Sequence, residues 1–169
     1  MLRAFVCSGS AVLVFPWYEP DAGGDERGAR VELRLLRPTP TRGSRSAAQE
    51  LSVDRPVWRA DLFELVAGDA TTLTQAHFHP SFDGVEPCER CWDPQLSDDP
   101  FGWLADQLRD TAKLVEASGV ECDAADTHSV GEDATEIALR AAEIIDAARV
   151  ALGEARDGHR YPRASDAHS

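Results

Sequence analysis

The chain has 169 residues and a formal charge of −13, from 17 Lys plus Arg against 30 Asp plus Glu, and 43 % of it is apolar. That is enough apolar material for one domain with a single core, and no apolar run approaches the ~20 residues that span a bilayer, so no membrane association is expected. The acidity speaks against non-specific nucleic-acid binding, because phosphate would be repelled.

Charge is unevenly spread. Residues 1–60 hold nine basic and seven acidic residues, whereas residues 61–169 hold eight and 23. The acidic part suits a protein partner with a basic surface.

Met1-Leu2-Arg3 precedes an apolar stretch that runs to Trp17. It carries one positive charge, Pro16-Trp17-Tyr18 breaks it, and no small-x-small cleavage site follows. It therefore reads as strand rather than signal peptide, and a cytoplasmic protein with reduced thiols is expected. Ala4-Phe5-Val6-Cys7 and Ala11-Val12-Leu13-Val14-Phe15 flank Ser8-Gly9-Ser10, which predicts a hairpin or one kinked strand. Residues 19–29 are a polar loop. Residues 30–37 alternate, with Val31, Leu33 and Leu35 on one face and Arg30, Glu32 and Arg34 on the other, as in a half-exposed strand. Residues 38–50 read as a loop.

Residues 57–66 alternate again, with Trp58, Ala60 and Leu62 opposite Arg59, Asp61 and Phe63. A turn over 67–71 leads to a strand over 72–79. Residues 80–100 contain Pro80, Pro87, Pro94 and Pro100, so no regular element is expected there. The period then becomes helical. Phe101, Leu104, Leu108, Ala112 and Val115 form one stripe, with Asp99 as cap, Pro100 in the first turn and Gly119 as stop. Ile137, Ala141, Ile144, Ala148 and Ala151 form a second stripe over 134–153, with Asp133 and Glu136 as a capping box.

The expected fold is α+β: a mostly antiparallel sheet of four to five strands followed by two C-terminal helices on one face. One domain covers residues 1–155, with the sheet in 1–79, the proline-rich loop in 80–100 and the helices in 101–154. Residues 156–169 read as a polar tail.

The chemistry concentrates around His77-Phe78-His79. On a strand the two histidines share a face. A hairpin with residue 66 opposite 72 sets Asp61 opposite His77 and Arg59 opposite His79, while Ala60 and Phe78 meet on the core face. A slip of one residue would bury Arg59 and Asp61 instead. Cys88 and Cys91 follow, giving His77-x-His79-x8-Cys88-x2-Cys91. Two His and two Cys are a tetrahedral zinc set, and the ion would tie down a 21-residue loop that is unusually long for a compact domain. Asp61 would then orient the His77 imidazole. The alternative is apolar anchoring of the loop by Phe82, Val85, Trp92 and Leu96, with the thiols merely packed. A redox role for Cys88 and Cys91 is disfavoured by Glu86 and Glu89 beside them. The remaining cysteines, Cys7 and Cys122, have no neighbour of that kind in sequence.

The stretch from Gly68 through His77-x-His79 to Asp83-Gly84 resembles the cupin metal motif over about a dozen residues. The Glu of that motif and its third His have no counterpart here, and helices follow, so no cupin role is carried over.

Two functions are weighed, the first as the expectation and the second as its alternative. One is a zinc-stabilised, non-catalytic binding or regulatory domain with His77, His79, Cys88 and Cys91 as ligands. The other is a nuclease-like hydrolase on the His77/His79 face. It would either depend on a metal or work without one, using His77, His79, Arg59 and Asp61 for acid–base chemistry and phosphate clamping. Coordination separates them: four closed ligands leave no room for substrate, whereas an open position does.

Overall fold

The computed structural model describes residues 1–20, 24–38, 51–67, 72–121 and 124–157. The turn at 68–71, the loop at 39–50, Cys122 and the tail from 158 lie outside the described residues.

Alternation builds a five-stranded antiparallel meander in chain order. Its strands are β1 (Arg3–Val6), β2 (Ser10–Glu19), β3 (Glu26–Pro38), β4 (Leu51–Leu65) and β5 (His77–His79). Ser8 and Gly9 close the first hairpin. The ladder Val14–Val31–Ala60–Phe78 crosses β2 to β5 on one face. One residue along, Phe15–Arg30–Asp61–His77 crosses on the other. The expected register of β4 on β5 holds, with Asp61 opposite His77, Ala60 opposite Phe78 and Arg59 opposite His79.

The helices cover the apolar face. Val12, Val14, Val31, Leu33, Trp58, Ala60 and Leu62 are buried against Leu104, Leu108, Ile137, Ile144 and Ala148. Trp103 stacks on Trp58 with ring centroids 5.9 Å apart. The sheet-then-helices order is thus as the sequence implies, but the helices are shorter and more numerous. They are α1 (Pro94–Asp98), α2 (Pro100–Leu108), α3 (Thr111–Ala117), α4 (Ala124–Leu139) and α5 (Ala141–Arg156). The first stripe breaks at Arg109, because Asp110 caps a new helix by accepting from Lys113 N. Asp99 caps α2 by accepting from Gly102 N at 3.0 Å, with Pro100 in the first turn. Gly119, at φ +69°, follows the end of α3 as the expected stop.

Three further expectations need correction. Asp133 does not open a helix; it lies inside α4 and accepts from Ser8 N, Gly9 N and Ser10 Oγ at 2.7–3.0 Å. Its carboxylate therefore closes the β1–β2 hairpin onto the helical layer. The stretch 80–100 is not without regular structure, since β6 (Phe82–Asp83) and β7 (Glu86–Pro87) pair and α1 follows. Arg156 is not tail: it ends α5 and reaches the buried carboxylate of Glu64 at 2.6 Å, which Arg27 also meets at 2.9 Å. Among the described residues no helix is long and apolar enough to cross a membrane.

Candidate metal centre on the uncovered sheet face

Among the described residues no helix packs on the second sheet face, yet its centre is buried. Asp61 is fully buried, and His77 and His79 are exposed by 1 % and 4 %. The Trp92 ring lies over His77 with centroids 5.5 Å apart, and the Phe63 edge meets it from the sheet side at 5.9 Å. Gly28 makes room for Phe63: a Cβ there would fall 2.0 Å from Leu62 O and 2.7 Å from Phe63 Cδ1.

Asp61 is the hub. Arg30 grips it with two bonds, Nε to Oδ1 at 2.6 Å and Nη2 to Oδ2 at 3.2 Å. Arg30 is itself fixed, with its guanidinium 4.1 Å over the Trp17 ring and 3.3 Å from Glu19. Arg59 is held differently. Its Nε is 2.9 Å from Asp61 Oδ2 but misaligned for a hydrogen bond, so that contact is purely ionic. Its Nη2 lies 3.0 Å from His79 Nε2.

Proton positions follow from these partners. His77 Nδ1 faces Gln75 O at 2.7 Å, and His79 Nδ1 faces Cys88 O at 2.6 Å. Carbonyl oxygens only accept, so both Nδ1 atoms donate. Guanidinium only donates, so His79 Nε2 presents its lone pair to Arg59. Both Nε2 atoms point at Asp61 Oδ2, His77 from 3.4 Å and His79 from 3.6 Å.

Burial pushes the Asp61 carboxyl up, but His77, His79, Arg30 and Arg59 together hold it well below the usual carboxylate range. Burial pulls Arg59 below the ordinary arginine value, Asp61 opposes this, and Arg30 adds to it.

Among the described residues, Asp61, His77 and His79 form the cluster whose donor atoms all lie within 4.8 Å of one another. With bonds of ~2.0–2.1 Å, neighbouring donors in a tetrahedral or octahedral zinc site lie ~2.9–3.4 Å apart. The His77–Asp61 separation already matches, and His79 must draw in slightly. The Nδ1–H···O=C bonds are the outer contacts that fix a metal-binding imidazole in its tautomer.

Cys88 and Cys91 stand outside this cluster. Both Sγ atoms face Glu89 O, at 3.4 and 3.8 Å. Burial, then Cys88 and Glu89, pushes the Cys91 thiol up. The two residues do tether their loop at the expected place, but through the backbone. Cys88 O accepts a hydrogen bond from His79 Nδ1, and Cys91 exchanges two backbone hydrogen bonds with Phe78 at 2.8 and 3.0 Å. Asp61 meets the Nε2 side of His77 at 3.4 Å, while Gln75 O accepts from its Nδ1.

Sequence reasoning missed Arg30, Trp17 and Phe63. Their alternation was legible, but pairing β3 with β4 requires the register across residues 39–50, which no short turn sets.

Beside the centre lies an open groove of about 470 Å³ lined by Arg30, Glu32, Arg34 and Arg59 among aromatic and aliphatic side chains. Comparison of the chain with protein-family models, curated proteins and solved structures finds no match.

Proposed function

We propose that His77 Nε2, His79 Nε2 and Asp61 Oδ2 hold one divalent transition-metal ion, zinc first, and that the protein is a metal-dependent hydrolase acting on a small substrate in the adjoining groove. The donor set carries this reading: two imidazoles already committed through Nδ1–H to carbonyls, and one carboxylate, converge on Asp61 Oδ2 at 3.4 and 3.6 Å. Structural zinc sites close with four protein ligands, whereas catalytic ones keep three and an open position. Three donors without thiolate beside a groove favour the hydrolase over a zinc-stabilised binding or regulatory domain. Zinc held in this way supplies a bound water with a pKa of ~7.

Entry of the ion requires Arg59 to leave His79 Nε2. That contact is what favours a second, metal-free reading, in which Arg59 and Asp61 orient His77 and His79 as an acid–base pair. A cytoplasmic setting belongs to the same proposal, as does a basic protein partner for the acidic remainder of the chain.

The test is elemental analysis of protein purified without an affinity tag and dialysed extensively. One zinc per chain should be retained, lost in His77→Ala and His79→Ala, and kept in Cys88→Ser/Cys91→Ser. Hydrolysis across a panel of chromogenic esters and phosphodiesters should stop with chelator and return with zinc. Loss of zinc in the double serine variant, or no retention by the native protein, overturns the three-donor reading. Chelator-resistant hydrolysis that needs His77 would establish the metal-free one.

A further inference from the structure

The groove has two kinds of wall. Leu13 and Phe15 of β2 line one side, and Phe82 and Val85 of the β6–β7 hairpin overhang the other. Val85 is 75 % exposed. Three arginines and one glutamate line the floor, with the carboxylates of Asp61 and Glu19 against Arg30. A volume of about 470 Å³ is that of a small-ligand site.

The three arginines are not equivalent. Arg30 is locked by two bonds to Asp61 and by Trp17. Arg34 is locked by Glu32 at 2.7 Å and Asp54 O at 3.1 Å. Arg59 has one aligned hydrogen bond, to His79, and one misaligned ionic contact. Its Nη1 donates to nothing among the described residues, and its guanidinium lies 6.0 Å from the Phe82 ring. The least satisfied cation of the site thus sits where apolar wall meets charged floor.

We propose that the groove binds an amphipathic oxyanion: an aromatic or aliphatic body between Phe15, Phe82 and Val85, with a carboxylate or phosphate head on Arg59. Guanidinium pairs with either head through parallel N–H···O bonds. A neutral amide head cannot replace it, and a head without a body leaves the apolar walls wet.

Binding is measured by calorimetry and amide NMR on the full chain in excess chelator, so that failure here leaves the metal reading untouched. The probes are 3-phenylpropanoate, phenyl phosphate, 3-phenylpropanamide and acetate. At least one of the two aromatic anions should saturate, and the tighter one identifies the head the site prefers. The amide and acetate should bind at least about tenfold more weakly, as expected when a charged hydrogen bond or the apolar contact is lost. Arg59→Gln should abolish the preference for acid over amide. Phe82→Ala, on the hairpin and away from the buried cluster, should weaken the aromatic anions and leave that preference intact. Equal affinity for acid and amide, or binding indifferent to both variants, overturns the proposal. So does a sedimentation-detected dimer whose dilution shifts the Phe82 and Val85 signals without any probe.

Discussion

The two faces of the sheet are built one residue apart on the same strands and are buried by opposite means. On the rung Val14–Val31–Ala60–Phe78, aliphatic and aromatic groups pack under α2 and α5. On the rung Phe15–Arg30–Asp61–His77, a carboxylate, a guanidinium and an imidazole are packed nearly as tightly without a helix over them. The first arrangement is stabilised by removing apolar area from water. The second costs desolvation and must recover it through pairing, so it is poor evidence of stability and better evidence of a site.

The comparison can be broken from either side. The largest effect should come from Asp61→Asn, which leaves Arg30 and Arg59 buried against a neutral amide. A loss of ~3–5 kcal/mol is expected in denaturant unfolding. A loss below about 1 kcal/mol would mean that the cluster relaxes into solvent and is not a built centre. On the other face, Leu104→Ala should cost ~2–5 kcal/mol as a cavity in a closed core.

Acid sharpens the contrast. The Asp61 carboxyl is depressed in the folded state, so its contribution is present above the unfolded value of ~3.9 and is lost as pH falls through the folded value. The stability gap between native protein and Asp61→Asn should therefore narrow on acidification below about pH 4, while the gap to Leu104→Ala stays nearly constant. A gap to Asp61→Asn that widens in acid would reverse the assigned sign.

Smaller effects follow at the periphery. Glu64→Gln should cost ~1–3 kcal/mol, because Arg27 and Arg156 lose a buried acceptor but can reach water. Glu154→Gln should cost at most ~1 kcal/mol. Arg3 and the N-terminal amine pull that carboxyl down to about 2, but at a surface where water and salt screen the pairs. An Arg156→Gln effect larger than that of Asp61→Asn would shift the centre of gravity from the uncovered face to the end of α5.

Much of this was legible in the chain. Period-two alternation in residues 57–66 and a short hairpin were enough to place Asp61 beside His77, because a one-residue slip would have buried the charges under the helices. Asp99, Pro100 and Gly119 marked helix ends for reasons local to the backbone. What escaped was set by tertiary contact. Asp133 resembles a cap in sequence, but it serves the β1–β2 hairpin 124 residues away. Arg30 looked like a solvated strand residue, since its partner Asp61 is reached only across a long connection. Cys88 meets His79 through its carbonyl oxygen, whereas the spacing pointed to its thiol. Residue spacing carries no information on which atom of a residue points inward.

X-ray absorption at the zinc edge tests the three-donor centre most directly. The native protein should show two imidazoles and further oxygen donors at ~2.0–2.1 Å, with no sulfur shell at ~2.3 Å. The spectrum should be unchanged in Cys88→Ser/Cys91→Ser. Sulfur at ~2.3 Å that disappears in that variant would instead return Cys88 and Cys91 to the metal and close the site to substrate.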